Sequence, residues 1–410
     1  VGLNPGVTEI SLADFSGGQA SAKGVTTLAQ QELKVANNTV ILPAGTGFRN
    51  RYGNEVLNLT AIDGSDSGTG VGYFKSSAGN EYLVGVAGNT IKASANFSGS
   101  LTDITGAVTV TAAQNNTWTF CVLNDLLIGV GGAPDAPFKY SGSGNAAVLG
   151  GSPPSGRFCF DLNNRAFIGS TSANPSTLYW SIVGNPEDWS GSGSGSTDVN
   201  PDDNDILVTA APLNINSVLL FKQNSTYIMS GRTAPFPVFP LFAGVGCVGK
   251  HACVVADGLA YFITPQGKMC VTDGNTLIDS QDLPQLNRLD DVWSGLNQAR
   301  LPYLQGTRLR GDDFDWIVWS CAGASVTTND YAIVWDLMND CWLTASEGFE
   351  SNGYAITQNG TLYMIGFDGK IYEMNVRGVY TDASNGDEIV SWKMESDWIS
   401  LSGLLKVIQI

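Results

Sequence analysis

The chain has one histidine, His251, set between Lys250 and Ala252. Imidazole chemistry needs company: a nucleophile beside the ring, or further histidines around a metal. A lone histidine at the mouth of an apolar run reads instead as structural or merely exposed. Two acidic groups offer oxygen ligands, one at Asp198, Asp202, Asp203 and Asp205 and one at Asp312, Asp313 and Asp315. Oxygen-rich loops can hold Ca²⁺, but neither has the central Gly and closing Glu of an EF-hand, so solvated loops are expected.

Glycoside hydrolysis needs two carboxylates flanking the scissile bond. Ser65-Asp66-Ser67-Gly68-Thr69 grazes the Ser-x-Asp-x-Gly-x-Thr-Trp turn of sialidases once, and the arginines are few and scattered. No G-x-x-x-x-G-K-[ST] loop occurs, which removes the usual phosphate cradle. Trp180, Trp189, Trp316, Trp319, Trp335 and Trp342 could line a sugar-binding face, though aromatics at strand spacing more often fill a core. No catalytic residue, cofactor or metal is therefore expected, and the chain reads as a non-enzyme.

The bulk composition points the same way. Lys and Arg total 21 against 38 Asp and Glu, a formal net charge of −17 over 410 residues. Such a surface opposes adsorption to nucleic acid and to anionic membrane. Hydrophobic residues make up 43% and charged ones only 14%, which excludes a disordered chain. The seven cysteines are odd in number and lack a C-x-x-C pair, so they read as free thiols made in a reducing cytoplasm. No apolar run approaches bilayer-spanning length, and membrane insertion is not expected.

The elements that would position any site are strands. A loose unit recurs from Gly72 onward: a short strand, a polar turn, a second apolar strand, a Gly/Ser loop and a third strand with an aromatic. Successive units centre on 72–92, 119–140, 157–181, 217–229, 254–271, 316–342 and 354–374. Asp257-Gly258 and Asn359-Gly360 beside apolar runs are strong hairpin signals. About seven units at roughly 40 to 50 residues match four-stranded propeller blades, whereas a β-helix would repeat faster and a sandwich pair would lack the long period.

The expectation is an all-β fold, a β-propeller of six to eight blades with an N-terminal arm. The divisions are 1–62 (arm), 63–376 (propeller) and 377–410 (strands that close the propeller or start a further domain). The arm holds a helix-like stretch from Thr26 to Val35 and a short strand at Thr39–Leu42. It reads equally as the first layer of the same domain. Gly191–Asp205 has the composition of a flexible excursion, and Asp279–Gly306 is irregular with a short helix near Leu286–Trp293.

Three ordered stretches carry a family resemblance. Asp14-Phe15-Ser16-Gly17-Gly18, then Ala36-Asn37-Asn38, then Gly47-Phe48-Arg49-Asn50-Arg51-Tyr52-Gly53 resemble the N-terminal signature of tail nozzle proteins of short-tailed bacteriophages. Arg165–Gly169, Leu178-Tyr179-Trp180-Ser181 and Gly184-Asn185-Pro186-Glu187-Asp188-Trp189 resemble the family's middle block, and Leu219–Lys222 with Ser225–Gly231 continues it. The resemblance covers nearly the whole chain through short motifs in a fixed order. It implies a virion protein of the tail, assembled in the host cytoplasm, that forms a hexameric ring below portal and adaptor and meets tail fibres. It implies further an axial channel and gate that retain the genome and pass double-stranded DNA during ejection. Relatives continue past the last blade into a further β domain, while this sequence ends at Leu404–Ile410 in a strand pattern.

Phe15, Arg49 and Arg51 are the candidate subunit contact, since guanidinium groups make forked bonds to carboxylates of an acidic neighbour. Two other readings stay open: a neck or head-decoration propeller that needs only a binding rim, and a glycan- or receptor-binding propeller.

Overall fold

The computed structural model describes residues 15–23, 28–29, 31–43, 46–64, 66–279, 282–396, 399–401 and 404–406. Asp14, Thr26, Thr27, Ser65 and the last four residues, named in the sequence motifs, lie outside that set. Seven antiparallel sheets follow one another along the chain as the blades of a propeller. Blade 1 is Gly68–Lys75, Glu81–Ala87, Thr90–Ala95 and Thr102–Asp103; blade 2 is Thr119–Leu123, Leu126–Val130, Phe138–Tyr140 and Ala147–Val148. Blade 3 runs Gly156–Leu162, Arg165–Thr171, Thr177–Trp180 and Gly195–Asp198, and blade 4 runs Leu207–Asn214, Ser217–Lys222, Ser225–Ser230 and Val238–Ala243. Blade 5 comprises Cys253–Ala256, Leu259–Ile263, Met269–Thr272 and Leu277–Ile278, and blade 6 comprises Gln305–Arg310, Asp315–Cys321, Tyr331–Asp336 and Cys341–Ala345. Blade 7 has Ser351–Ile356, Leu362–Gly366 and Ile371–Glu373.

Local chemistry explains the repeat. Asn124-Asp125, Asn163-Asn164 and Asp257-Gly258 all take positive φ in two-residue turns, the geometry that matches strand twist. Asn359-Gly360 differs. Its loop spans Thr357 to Thr361, closed by Thr357 N donating to Thr361 O at 2.9 Å, and only Gly360 has positive φ. Between neighbouring strands, aromatic rings lie across the backbone of a facing glycine. A Cβ on Gly169 would sit 2.3 Å from Cζ of Phe158, so a side chain there would have to displace that buried ring. Trp180, Trp316, Trp319, Trp335 and Trp342 are buried, and Trp189 is half-buried. The first five therefore fill the core and line no open sugar-binding face.

Ring closure departs from the expected division of the chain. The fourth strand of blade 7 is Glu55–Val56, which pairs antiparallel with Tyr372 and Glu373. Leu57 N donates to Ile371 O at 2.8 Å, and Asn58 Oδ1 accepts from Ile371 N at 2.8 Å. Part of the segment read as an arm is thus a blade strand. Val35–Asn37 joins blade 6 at its outer edge, parallel to Thr344 and antiparallel to Lys393–Glu395, which makes that sheet six-stranded. Both ends of the chain therefore share one annex on blades 6 and 7, with hairpins Thr39–Ile41/Phe48–Asn50 and Thr381–Asp382/Glu388–Ile389.

Two local expectations are corrected. Within Thr26–Val35, Glu32–Leu33 is a strand pairing in parallel with Gly18–Gln19, not a helix. The Glu32 carboxylate is buried between Lys23 and Arg288, each at 2.7 Å, and this tertiary anchoring overrides helix propensity. Gly195–Asp198, inside the stretch read as an excursion, is the outer strand of blade 3. Its Gly/Ser composition lets the backbone lie against Trp180. The irregular stretch after blade 5 does hold a short helix, Asp290–Gly295.

Closure by side chain as well as strand makes a clear prediction. Asn58→Ala orphans the buried Ile371 N–H and should cost roughly 1–3 kcal/mol in urea unfolding. An unchanged midpoint would show that the outer strand of blade 7 does not depend on that bond.

Candidate functional site

The three candidate contact residues all lie on the annex, yet they are not equally available. Arg51 emerges from the hairpin of Phe48–Asn50 into the gap between blades 6 and 7. Its Nε donates to Asn38 Oδ1 at 3.0 Å, Nη1 to Tyr52 O and Asp382 Oδ1 at 3.0 Å each, and Nη2 to Glu347 O at 2.7 Å and to Asp382 Oδ2. Those acceptors use all five guanidinium donors. Both partners of the ion pair are buried, and Phe349 lies under the guanidinium, 5.2 Å from its centroid. Gly53 must be glycine because a Cβ would fall 1.9 Å from Thr381 O.

Phe15 is buried as well and meets Phe48 edge-on at 5.5 Å. Arg49 remains about a quarter exposed. It forks onto Asp313 through Nε (2.8 Å) and Nη2 (2.6 Å) and stacks over Tyr52 at 4.5 Å. The Arg49 bond holds the Asp313 carboxyl below its usual range. So Phe15 and Arg51 are directed into their own chain, and Arg49 already has a carboxylate partner. What the annex does expose is apolar: Tyr380, Ile389 and Trp392 are 49%, 75% and 40% accessible. Val183, Ile215 and Phe239, on blades 3 and 4, are likewise exposed. In a ring of seven, blades 3 and 4 lie across the axis from blades 6 and 7.

Most of the acidic side chains are absorbed by ordinary pairing, and Asp202 is exposed. Asp203 receives the buried Lys222 ammonium at 2.6 Å, Asp198 accepts from Thr177 Oγ1 at 2.5 Å, and Asp205 accepts the backbone N–H groups of Gln223 and Asn224. Asp312, Asp313 and Asp315 pair with Arg377, Arg49 and Arg308. Among the described residues no group of three His, Cys, Asp or Glu side chains could hold a metal ion. All seven cysteines are free thiols, six of them buried.

The first strands of the blades pack in sequence around the axis, the seventh against the first. They enclose a cavity of about 350 Å³ lined by Tyr73, Phe120, Cys159, Lys250, His251 and Tyr354 among others. No Asp or Glu lines it. His251 Nε2 and Tyr73 Oη are sealed from solvent without a hydrogen-bond partner among the described residues. Burial, with Lys250 beside it, pushes the His251 imidazole down to about 3. Burial likewise lowers the Lys250 ammonium to about 7. In the sequence this dipeptide stands out only for its lone histidine, and nothing in its spacing shows that it reaches the axis.

No family model matches the chain, and no curated protein matches it in sequence. Solved structures match its fold. A streptogramin B lyase aligns over 79% of this chain and 98% of its own, at 14% identity and a TM-score of 0.51. The WD40 propeller domain of Doa1 aligns over 80% and 98% at 11% identity, TM-score 0.51. The β-propeller domain of Cps50 (Swd1) from Myceliophteria thermophila aligns over 79% and 99% at 9% identity, TM-score 0.50. Likeness this remote carries the propeller fold and no activity.

Two predictions rest on these side chains. Arg51→Met strands the buried Asp382 carboxylate and should destabilise by about 3–5 kcal/mol, while Arg51→Met/Asp382→Leu recovers at least half. Equal losses in both variants would mean that Arg51 acts through packing alone. For His251, the folded imidazole titrates near 3 and the unfolded one near 6.5, so its contribution is complete above 6.5 and lost as pH falls toward 3. His251→Gln should shrink the drop in urea midpoint between about pH 7.5 and about pH 4.5. An identical drop in both proteins would place the ring in solvent.

Proposed function

We propose that the protein is a non-enzymatic ring subunit of a viral tail, a nozzle through which double-stranded DNA leaves the particle. The observation that carries this reading is that three of the resemblance-bearing residues meet at one structurally constrained point. Asn38, Arg51 and Gly53 meet in one clasp with Asp382, where each residue type is fixed by sterics or by hydrogen bonds.

Two further features fit a ring. A head-to-tail contact needs two different complementary patches on opposite sides of the subunit, and closes only under cyclic symmetry. Exposed apolar side chains stand on both sides, Tyr380, Ile389 and Trp392 on the annex and Val183, Ile215 and Phe239 on blades 3 and 4, and offer two such surfaces. The net charge of −17 suits a wall along which DNA slides without sticking. That wall would be the outer face of the propellers turned to the ring axis, because the propeller's own cavity carries no carboxylate.

The contact is read by mass in solution. Wild type should assemble beyond monomer, with six copies the expected closed state. Trp392→Glu and Ile215→Glu should each be monomeric alone. Mixed, they should give a heterodimer, since each keeps the patch the other has lost. A wild-type monomer at every concentration, or a mixture that stays monomeric, would discard the ring.

A further inference from the structure

At one end of the axis, the loops that lead into the first strands form a second cavity of about 360 Å³. Asn115, Ser155, Arg157, Ser170, Lys250 and Tyr303 are among its lining residues, which come from the entries to blades 2, 3, 5 and 6 and from the end of a blade 3 strand. Its volume lies in the range of small-molecule sites. Lys250 lines both cavities, so the two adjoin at its side chain.

The charge of this mouth is opposite to that of the chain. No Asp or Glu lines either cavity, in a protein of net charge −17. Arg157 is exposed into the mouth, and neither it nor Lys250 pairs with a carboxylate among the described residues. The Lys250 ammonium donates only to backbone oxygens, those of Thr117 and, at 3.2 Å, Arg157. Behind the wall lies a third cation. Arg300 is 8% exposed; its Nη1 donates to Asn115 Oδ1, and its guanidinium stacks 4.6 Å over Tyr303. Its Nε and Nη2 have no hydrogen-bond partner among the described residues. An unpaired guanidinium that deep is costly unless a counter-charge reaches its field.

Ser170 supplies a second, independent sign. It is 1% exposed, lines the cavity, and its Oγ has no hydrogen-bond partner among the described residues. A hydroxyl so buried normally bonds to something. The Asp135 carboxylate is not among the lining residues and is held by Thr111 N and Oγ1 and by Asn116 Nδ2 at 2.9 Å.

We propose that this mouth binds a small-molecule oxyanion, a phosphate or carboxylate group seated between Arg157 and Lys250 with Ser170 Oγ donating to it and amide and hydroxyl groups of the rim holding the remainder. Charge-assisted bonds from a forked guanidinium and an ammonium are the strong kind for such a group. The ordinary lysine range is restored when an anion compensates the burial that lowers Lys250. This site is separate from the clasp and from the apolar patches, and it stands whether or not the protein forms a ring.

Calorimetric titration of the full chain with inorganic phosphate, glucose 6-phosphate and malonate, at constant ionic strength held with chloride, tests the proposal. Saturable one-site binding of at least one probe is expected. Arg157→Gln, an exposed position that leaves the melting temperature unchanged, should weaken it at least about 10-fold, and Ser170→Ala several-fold. Arg232→Gln, an exposed arginine on blade 4 outside the mouth, should bind as wild type. Preference for glucose 6-phosphate over malonate assigns the phosphate class, and the reverse assigns the carboxylate class. No saturable binding of any probe, or binding that Arg157→Gln leaves intact, overturns the site.

Discussion

A propeller has no central core; its stability depends on closing a circle of sheets that each contact only their neighbours. The joint between last and first blade is therefore the weak point, and here it is made from distant parts of the chain. Glu55–Val56 completes blade 7, and Arg51 then bolts the N-terminal segment to Asp382 from beyond the last blade. The ion pair spans 331 residues of sequence, and the pairing of Val35 with Glu395 spans more, so closure rests on the longest-range contacts of the fold. Entropy opposes such a contact until the intervening blades have formed. A fully satisfied, buried guanidinium suits that position because it is directional and intolerant of misregister.

The same joint shapes the exterior. Once Val35–Asn37 and Lys393–Glu395 extend blade 6 to six strands, the sheet reaches outward past the rim of the ring. Aromatic contacts then tie the annex together: Phe15 on Phe48, Phe48 on Trp392 at 5.4 Å, and Tyr52 on Tyr380 at 5.5 Å. This row grades from buried to exposed, so the packing that closes the ring also leaves an apolar surface outside it. Closure of the ring and an exposed apolar surface are thus one construction.

Charge is partitioned with similar consequence. Carboxylates crowd the outer turns, where Arg308, Arg377 and Lys222 neutralise some and solvent the rest. The axial cavities hold only cationic and neutral groups. Low-dielectric walls there make each unpaired charge worth more than the same charge on the rim. An acidic chain can in this way keep an attractive interior for anions while repelling polyanions from its outside.

The seven-blade architecture was legible because it rests on local signals. Turn pairs such as Asn163-Asn164 and Asp257-Gly258, apolar strands of five to seven residues, and a long repeat each act within one blade. The place of the first sixty residues, read equally as an arm or as a first layer of the same domain, was not legible for the opposite reason. Glu32–Leu33 and Glu55–Val56 are too short to carry a period, and what makes them strands is an edge supplied from elsewhere in the fold. Signature residues Phe15 and Arg51 stood out by type, but type does not say whether an arginine meets a neighbour or its own chain. Only tertiary structure decided that, by bringing Asp382 to it, and only the circle of blades could gather Arg157, Ser170, Lys250 and Arg300 at one mouth. Propensity and pattern act over a few residues; pairing across hundreds is set by which edges remain open once the local units have formed.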